Sequence, residues 1–284
     1  MLVTTQDMLK KAQKGKYAVP AINTQGGNYD IIRSICLAAE EAKSPIMLAH
    51  YVATGKYSGD DWFVEVSKWF ANRASVPVAI HLDHGDTFER CMNAMKLGFT
   101  SLMLDCSSES IEDNAKHTNE VIKAAHAIGI PVEAEVGELA RNDGSGNAVE
   151  TKNIANVEDI KKFVSLCQPD SLAIGIGNMH GFYKGEPVIR LDVLKQAAAI
   201  TDIPLVLHGC TGMKDEVVKE AIQLGVAKIN FGTLVRHKYV DFYKEGIETL
   251  AHDGHSWKIS QFAELKLRGV IKEIIDLSGS AGKA

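Results

Sequence analysis

Three of the ten histidines in this chain, His84, His180 and His208, stand just past short apolar runs rich in β-branched residues. The ends of these and similar runs carry Asn23, His50, Asp83 with His84, Asp105, Glu133 with Glu135, Asn178 with His180, His208 and Asn230. One polar residue after an apolar run only marks the end of burial. A whole ring of carboxylates, amides and imidazoles aimed at one mouth is hard to explain by packing. Neutral imidazoles on separate strands can converge on a divalent ion and leave coordination positions open for a substrate. Taken alone, each histidine reads as a hydrogen-bonded core or loop residue. Three beside Asp83, Asp105 and Glu135 read as a metal centre. Imidazole with carboxylate favours zinc, and manganese, iron and cobalt also suit these ligand types. His81 shares a strand face with Asp83 and reads as structural or as a support to the ligands. His117, His126, His237, His252 and His255 read as solvated or packing residues.

Two neighbouring segments suggest an anion site. One is His208-Gly209-Cys210-Thr211-Gly212 and the other Asn230-Phe231-Gly232-Thr233. Both are small, polar and placed at the start of a helix pattern, where free backbone N–H groups attract phosphate. Ordinary helix capping by Thr211 and Thr233 is the plainer alternative. Lys184 and Arg268 are candidate cationic contacts, and each also suits a surface position.

These residues need a scaffold that brings strand ends together. Candidate strands are Tyr17–Asn23, Pro45–His50, Val76–Asp83, Ser101–Asp105, Pro131–Gly137, Ser171–Gly177, Ile203–Gly209 and Val226–Gly232. They are nearly continuous in Val, Ile, Leu and Ala, as parallel strands covered on both faces should be. Helix-period segments such as Asp30–Ala42, Asp61–Arg73, Phe88–Leu97, Ile111–Ile128 and Lys214–Leu224 separate them. The pattern predicts an α/β chain, a single (β/α)8 TIM-type barrel over residues 1–284, with Leu234–Leu250 and Ser256–Leu277 as additional C-terminal helices. A doubly wound open sheet is the structural alternative, and no GxGxxG or GxxxxGK[ST] motif supports it. Glu138–Asn156 is long and polar for a connection after a strand, as a functional lid would be. Met1–Lys16 reads as a polar helix.

Composition narrows the partners. The 284 residues are 45% hydrophobic and 24% charged with a net charge of -5, which excludes a disordered chain. An acidic chain without a Lys/Arg run has no electrostatic footprint for nucleic acid or an anionic membrane. No apolar run approaches the roughly 20 residues of a membrane span. The five cysteines are scattered, with no CxxC pair. That arrangement suits reduced thiols, and a soluble cytoplasmic protein is expected.

The residues then resemble the class II, metal-dependent ketose-bisphosphate aldolases, such as tagatose- and fructose-bisphosphate aldolases. The likeness runs through Tyr-Ala-Val-Pro-Ala-Ile-Asn (17–23), Leu-Asp-His-Gly (82–85), Leu-Asp-Cys-Ser (104–107) and Val-Glu-Ala-Glu-Val-Gly (132–137). It continues in Gly-Asn-Met-His-Gly-Phe-Tyr (177–183), Pro-Leu-Val-Leu-His-Gly (204–209) and Lys-Ile-Asn (228–230). The resemblance implies one catalytic Zn2+ on His84, His180 and His208, with Asp105 and Glu135 as ligands of a second or displaced metal. A monovalent cation is a further candidate. It implies dihydroxyacetone phosphate with its phosphate on Gly181, Gly209–Thr211 and Asn230–Thr233, near Asn23. Arg268 matches an arginine that reaches a substrate phosphate, in some relatives across a subunit interface, and a homodimer or homotetramer is implied.

Cleaving the C3–C4 bond of a ketose phosphate leaves a carbanion whose charge must spread onto the C2 oxygen, and zinc would stabilise that enediolate. Asp83 would accept the C4 hydroxyl proton during cleavage and return it in condensation. Asp143 stands near the place of a mobile-loop glutamate in relatives and is assigned the second proton transfer. Lys228 reads as structural. The chain departs from the family pattern at Ala140-Arg141, His50, Cys210-Thr211 and Gly232. His50 and Arg141 are therefore candidates for the aldehyde half of the substrate, favouring a carboxylated or sulfonated aldehyde. A metal-dependent isomerase or hydrolase, or a silent aldolase-like subunit, are the remoter alternatives.

Overall fold

The computed structural model describes residues 1–141, 154–183, 187–250, 252 and 254–284. Its strands are β1 (Val19–Asn23), β2 (Ile46–Tyr51), β3 (Val78–Gly85), β4 (Ser101–Leu104) and β5 (Val132–Val136). They continue with β6 (Ala140–Arg141), β7 (Ser171–Ile174), β8 (Met179–His180), β9 (Leu205–Leu207) and β10 (Val226–Phe231). Eight of them close a parallel barrel in the order β1-β2-β3-β4-β5-β7-β9-β10 and back to β1. β6 and β8 form a separate two-stranded ladder above it.

Helices cover the outside. The first half of the chain supplies α1 (Thr5–Gly15), α2 (Tyr29–Ala42), α3 (Val52–Ser58), α4 (Asp60–Ala71), α5 (Phe88–Leu97) and α6 (Ile111–His126). The second supplies α7 (Val157–Leu166), α8 (Leu191–Ile200), α9 (Asp215–Gln223), α10 (Thr233–Leu250) and α11 (Ser256–Ser278). Their starts are set by local chemistry. Asn28, Thr87, Ser110 and Asn156 each accept a hydrogen bond from the backbone N–H three residues on, satisfying a donor the helix cannot. No helix among the described residues is long and apolar enough to cross a membrane.

The barrel was legible from the apolar runs, and prolines define where its strands begin. β2, β3, β5 and β9 each start one residue after Pro45, Pro77, Pro131 and Pro204. Proline has no N–H to give the ladder but keeps its carbonyl. Accordingly Ile46, Leu102 and Leu172 donate to the carbonyls of Pro77, Pro131 and Pro204 at 3.0–3.1 Å. The short β6–β8 ladder and α3 were not anticipated. Two-residue strands carry no periodicity, and Val-Ala-Thr-Gly-Lys-Tyr-Ser is a weak helix former held by its neighbours.

The main core lies between strands and helices, where Ile, Leu, Val and Phe side chains such as Ile22, Leu48, Phe63, Phe99 and Phe163 are fully buried. A smaller cluster joins Met8, Leu9 and Ala12 of α1 to Tyr17, Val19, Ala21, Met47, Ala79 and Ala227. It packs α1 against the barrel. All five cysteines are buried and unpaired, and burial pushes their thiols up to about 12.

Candidate active site

β3 delivers two neighbouring residues to the same mouth, which a regular strand cannot do because consecutive side chains point to opposite faces. Asp83 shares the inward face with His81. His84 has φ 53°, a left-handed conformation that a side chain of this size rarely adopts, and the β3–β4 register shifts between Leu82 and Gly85. This bulge turns the imidazole back over the barrel. Strain of this kind persists only where surrounding structure holds it.

The surroundings hold it well. His84 Nδ1 lies 2.8 Å from Asp105 Oδ2, while Asp105 Oδ1 accepts from the Ser107 backbone (3.2 Å) and hydroxyl (2.7 Å). The other nitrogen of His84, Nε2, is buried without a partner. His180 comes from β8, paired through its backbone with Arg141 of β6. His208 follows β9, with Nε2 2.9 Å from Glu133 Oε1 and Nδ1 3.3 Å from Asn230 Nδ2. Ring centroids are 4.8 Å apart for His84–His180 and His84–His208, and 6.0 Å for His180–His208. One ring nitrogen from each imidazole lies within 4.8 Å of the others. Imidazoles with one nitrogen anchored by a carboxylate and the other turned to a shared point are the usual surroundings of a divalent ion. The donor set therefore fits a metal. A second grouping joins His84 to Asp105 and Glu135, the carboxylates expected as alternate ligands. Glu135 Oε2 is also buried without a partner.

Asp83 lies beside these rings. Asn230 Nδ2 donates to its Oδ1 at 3.1 Å. Burial opposes ionisation, yet the positive field of His84, His208 and Lys228 outweighs it and holds the carboxyl down at about 2. Burial, helped by the positive charge of Lys228 and His84, pushes His208 below the ordinary imidazole range despite its hydrogen bond to Glu133. Glu135 is driven well above the usual carboxylate range, first by burial and then by Asp105. The mouth thus holds carboxylates kept ionised, Asp83 and Asp105, beside one that resists charging, Glu135.

These groups open into a cavity of about 670 Å3. One wall is Gly181, Gly209, Thr211, Asn230, Phe231, Gly232 and Thr233, the segments expected to hold an anion. Thr211 does cap a helix, because its hydroxyl accepts from Leu234 N–H at 3.2 Å, and this fastens the loop after β9 to the start of α10. Asn23 lines the cavity as expected, its Oδ1 fixed by the Gln25 backbone (2.9 Å) and side chain (2.8 Å).

A model of the family described as fructose-bisphosphate aldolase class-II matches residues 3–283. The chain belongs to this family. It is 36% identical over 309 residues to the fructose-bisphosphate aldolase of Thermus caldophilus, covering 100% of both chains. It is 38% identical over 236 residues to the 6-phospho-5-dehydro-2-deoxy-D-gluconate aldolase of Halalkalibacterium halodurans, covering 82% of this chain and 80% of the relative. Among solved structures it is similar to the YdjI aldolase from Escherichia coli K12, with a TM-score of 0.87 and 31% identity over 100% of both chains. The protein is therefore a class II aldolase, a metal-dependent carbon–carbon lyase on a (β/α)8 barrel.

Within this aldolase, several expected site residues stand elsewhere. His50 is fully buried on the outer side of β2, its Nε2 2.9 Å from Asp60 Oδ1 and its ring stacked on Phe63 at 4.3 Å. It is one residue out of phase with the mouth, and its neighbour Tyr51 lines the cavity instead. Cys210 is buried with its thiol donating to Leu207 O, so only its neighbours Gly209 and Thr211 face the cavity. Arg268 lies on α11, bonded to Glu264 (2.6 Å) and Glu41 (2.8 Å), and does not line the cavity of its own barrel. Asp143, Lys184 and the side chain of Arg141 lie outside the described residues.

Other contributors escaped sequence reasoning. Gln25, Tyr51, Ala53 and Thr54, on the connections after β1 and β2, also line the cavity, and Arg236 and His237 stand on the first turns of α10. Tyr183 bridges Met179 N–H (3.1 Å) and Gly209 O (3.0 Å), while Asn178, already read as a strand-end polar residue, donates to His208 O at 2.9 Å. The only advance signal was their place just past strand ends. Gly209 explains why the loops can approach so closely: at φ 67° a Cβ would sit 2.3 Å from Met179 O. Gly209→Ala is expected to cost about 1–3 kcal/mol of local strain. Taken from substrate binding, that raises KM by roughly 5- to 150-fold, which steady-state kinetics will measure.

Proposed function

We propose that this aldolase reversibly cleaves a ketose 1,6-bisphosphate to dihydroxyacetone phosphate and an aldehyde, using one zinc ion on His84, His180 and His208. The observation that carries the proposal is the convergence of three imidazoles, one with an unpartnered buried nitrogen, beside the ionised Asp83. An ion held there supplies positive charge to the oxygen at C2 as negative charge develops on it. Asp83 accepts the C4 hydroxyl proton as the C3–C4 bond breaks, and returns it in the reverse direction. Asn230 keeps the carboxylate aimed by donating to Oδ1. Backbone N–H groups around Gly209–Thr211 and Gly232–Thr233, with the start of α10, hold the phosphate of the donor half. Gly181, Arg236 and His237 line the same wall. Asp143 is assigned the proton at C3.

The wall of Gln25, Tyr51, Ala53 and Thr54 brings no lysine or arginine to the cavity among the described residues. This favours, as a second reading, an aldehyde without a phosphate, such as a carboxylated one; one relative is named for a gluconate-derived substrate. A homodimer or homotetramer is proposed, with Arg268 reaching a neighbouring site, in a cytoplasmic setting of sugar-phosphate metabolism. The test is triose-phosphate release from fructose and tagatose 1,6-bisphosphates and from carboxylated ketose 1-phosphates, each with and without chelator. Chelator-sensitive release from a bisphosphate supports the first reading. Release only from the carboxylated substrates selects the second, and release unaffected by chelator overturns both.

A further inference from the structure

A chain of buried hydrogen bonds runs through the barrel beneath the site. Lys228 of β10 is fully buried and has three N–H donors, all of them used. Two reach Glu133 Oε1 and Oε2 at 2.8 Å each, and the third reaches His81 Nε2 at 3.1 Å. His81 Nδ1 lies 2.8 Å from Ser101 Oγ, which also accepts from Thr5 of α1 at 3.0 Å. Above Lys228, Glu133 Oε2 accepts from Ser171 at 3.2 Å and Oε1 meets His208 Nε2 at 2.9 Å.

The donors and acceptors allow one arrangement of protons. Ammonium only donates, so His81 Nε2 must be a lone pair and Nδ1 must carry the hydrogen given to Ser101. Both oxygens of Glu133 already accept from Lys228, so the carboxylate offers no hydrogen of its own. His208 Nε2 must then be the N–H, which leaves the Nδ1 lone pair facing Asp83 and Asn230.

We propose that Lys228 is a positioning residue for His208: by occupying both oxygens of Glu133 and the lone pair of His81, it dictates the imidazole tautomer that turns Nδ1 toward the three-histidine site. The inference rests on the reading of His208 as a metal ligand. An aliphatic residue at position 228 would leave buried Glu133 without a cation and held only by Ser171 and His208. Without the ammonium neither oxygen of Glu133 would be held from β10, so the carboxylate could turn away from His208 Nε2. The imidazole hydrogen would no longer be confined to that nitrogen, leaving Nδ1 free to carry it where it competes with the ion.

The experiment uses the full-length protein labelled with 15N-histidine and freed of metal. Two-bond 1H–15N correlations distinguish the tautomers, and spectra of His81→Gln and His208→Gln assign the signals. The expected result is Nε2–H on His208 and Nδ1–H on His81; the opposite tautomer on either residue overturns the proposal. Lys228→Met is then expected to bind Zn2+ about 10- to 100-fold more weakly in competition with a chromophoric chelator. A folded variant with wild-type affinity also overturns it. Because the tautomers are read in the wild-type protein, a variant that fails to fold leaves the test decisive. Wild-type protein with the expected tautomers that does not bind zinc would overturn the metal-site reading instead, so the two failures are distinct.

Discussion

Asp83→Asn lowers aldol cleavage by about 10²- to 10⁴-fold, the usual range for removing a general base. The substitution keeps the shape of the side chain, including the oxygen that accepts from Asn230 Nδ2 at 3.1 Å, but cannot take the C4 hydroxyl proton. Asp83 is suited to the role because His84, His208 and Lys228 overcome the cost of burying its charge. The proton moves in the transition state, so kcat should fall while KM stays close to that of the wild type. Metal content, measured on the same preparation by elemental analysis, should be unchanged. Wild-type kcat in a fully metallated Asp83→Asn protein would remove Asp83 from the mechanism.

Removing the metal should be costlier still. A divalent ion contributes several kcal/mol of charge stabilisation, and each 1.4 kcal/mol is tenfold in rate, so chelator-treated protein should retain less than about one part in 10³ of its activity. Added Zn2+ should restore it. In the metal-free site, burial works against protonation of His84, but Asp83, Asp105 and Glu135 prevail and raise it to about 9. The sign of the pH effect follows. At pH 7 the imidazole carries a proton that the ion must displace, so apparent affinity should rise with pH and level off as pH passes about 9. Zinc titration in weak buffer at pH 7 should release protons, and calorimetry in buffers of different ionisation enthalpy counts them. Metal-independent turnover, or affinity that falls as pH rises from 7 to 9, would contradict this account.

How much of this was legible beforehand depended on whether the signal was local. The barrel strands could be read because each is a continuous apolar run, four of them opened by a proline that stands just outside the ladder. The three converging histidines could be read because each follows such a run. His50 met the same criterion but lies one step out of phase, and its partner Asp60 belongs to α4, so nothing within β2 distinguished it from a mouth residue. Cys210 sits between two cavity-lining neighbours, and only the turn geometry sends its thiol back to Leu207 O. Glu133 and Lys228 are 95 residues apart, a pairing that exists only once the barrel closes. The role of Glu133 in anchoring His208 was hidden for the same reason.

The two walls of the cavity come from different stretches of chain. Gly181, Gly209, Thr211 and Asn230–Thr233 belong to the second half, whereas Asn23, Gln25, Tyr51, Ala53 and Thr54 belong to the first two strands and their connections. Asp83, His84 and His180 line the same cavity. The walls meet where β1 pairs with β10 and Asn23 stands against Gly232. β2 pairs only with β1 and β3, so exchanges in the connection after β2 fall furthest from the glycine-rich segments. In a lineage built on such a barrel, that connection is where the cavity has the most room to change shape.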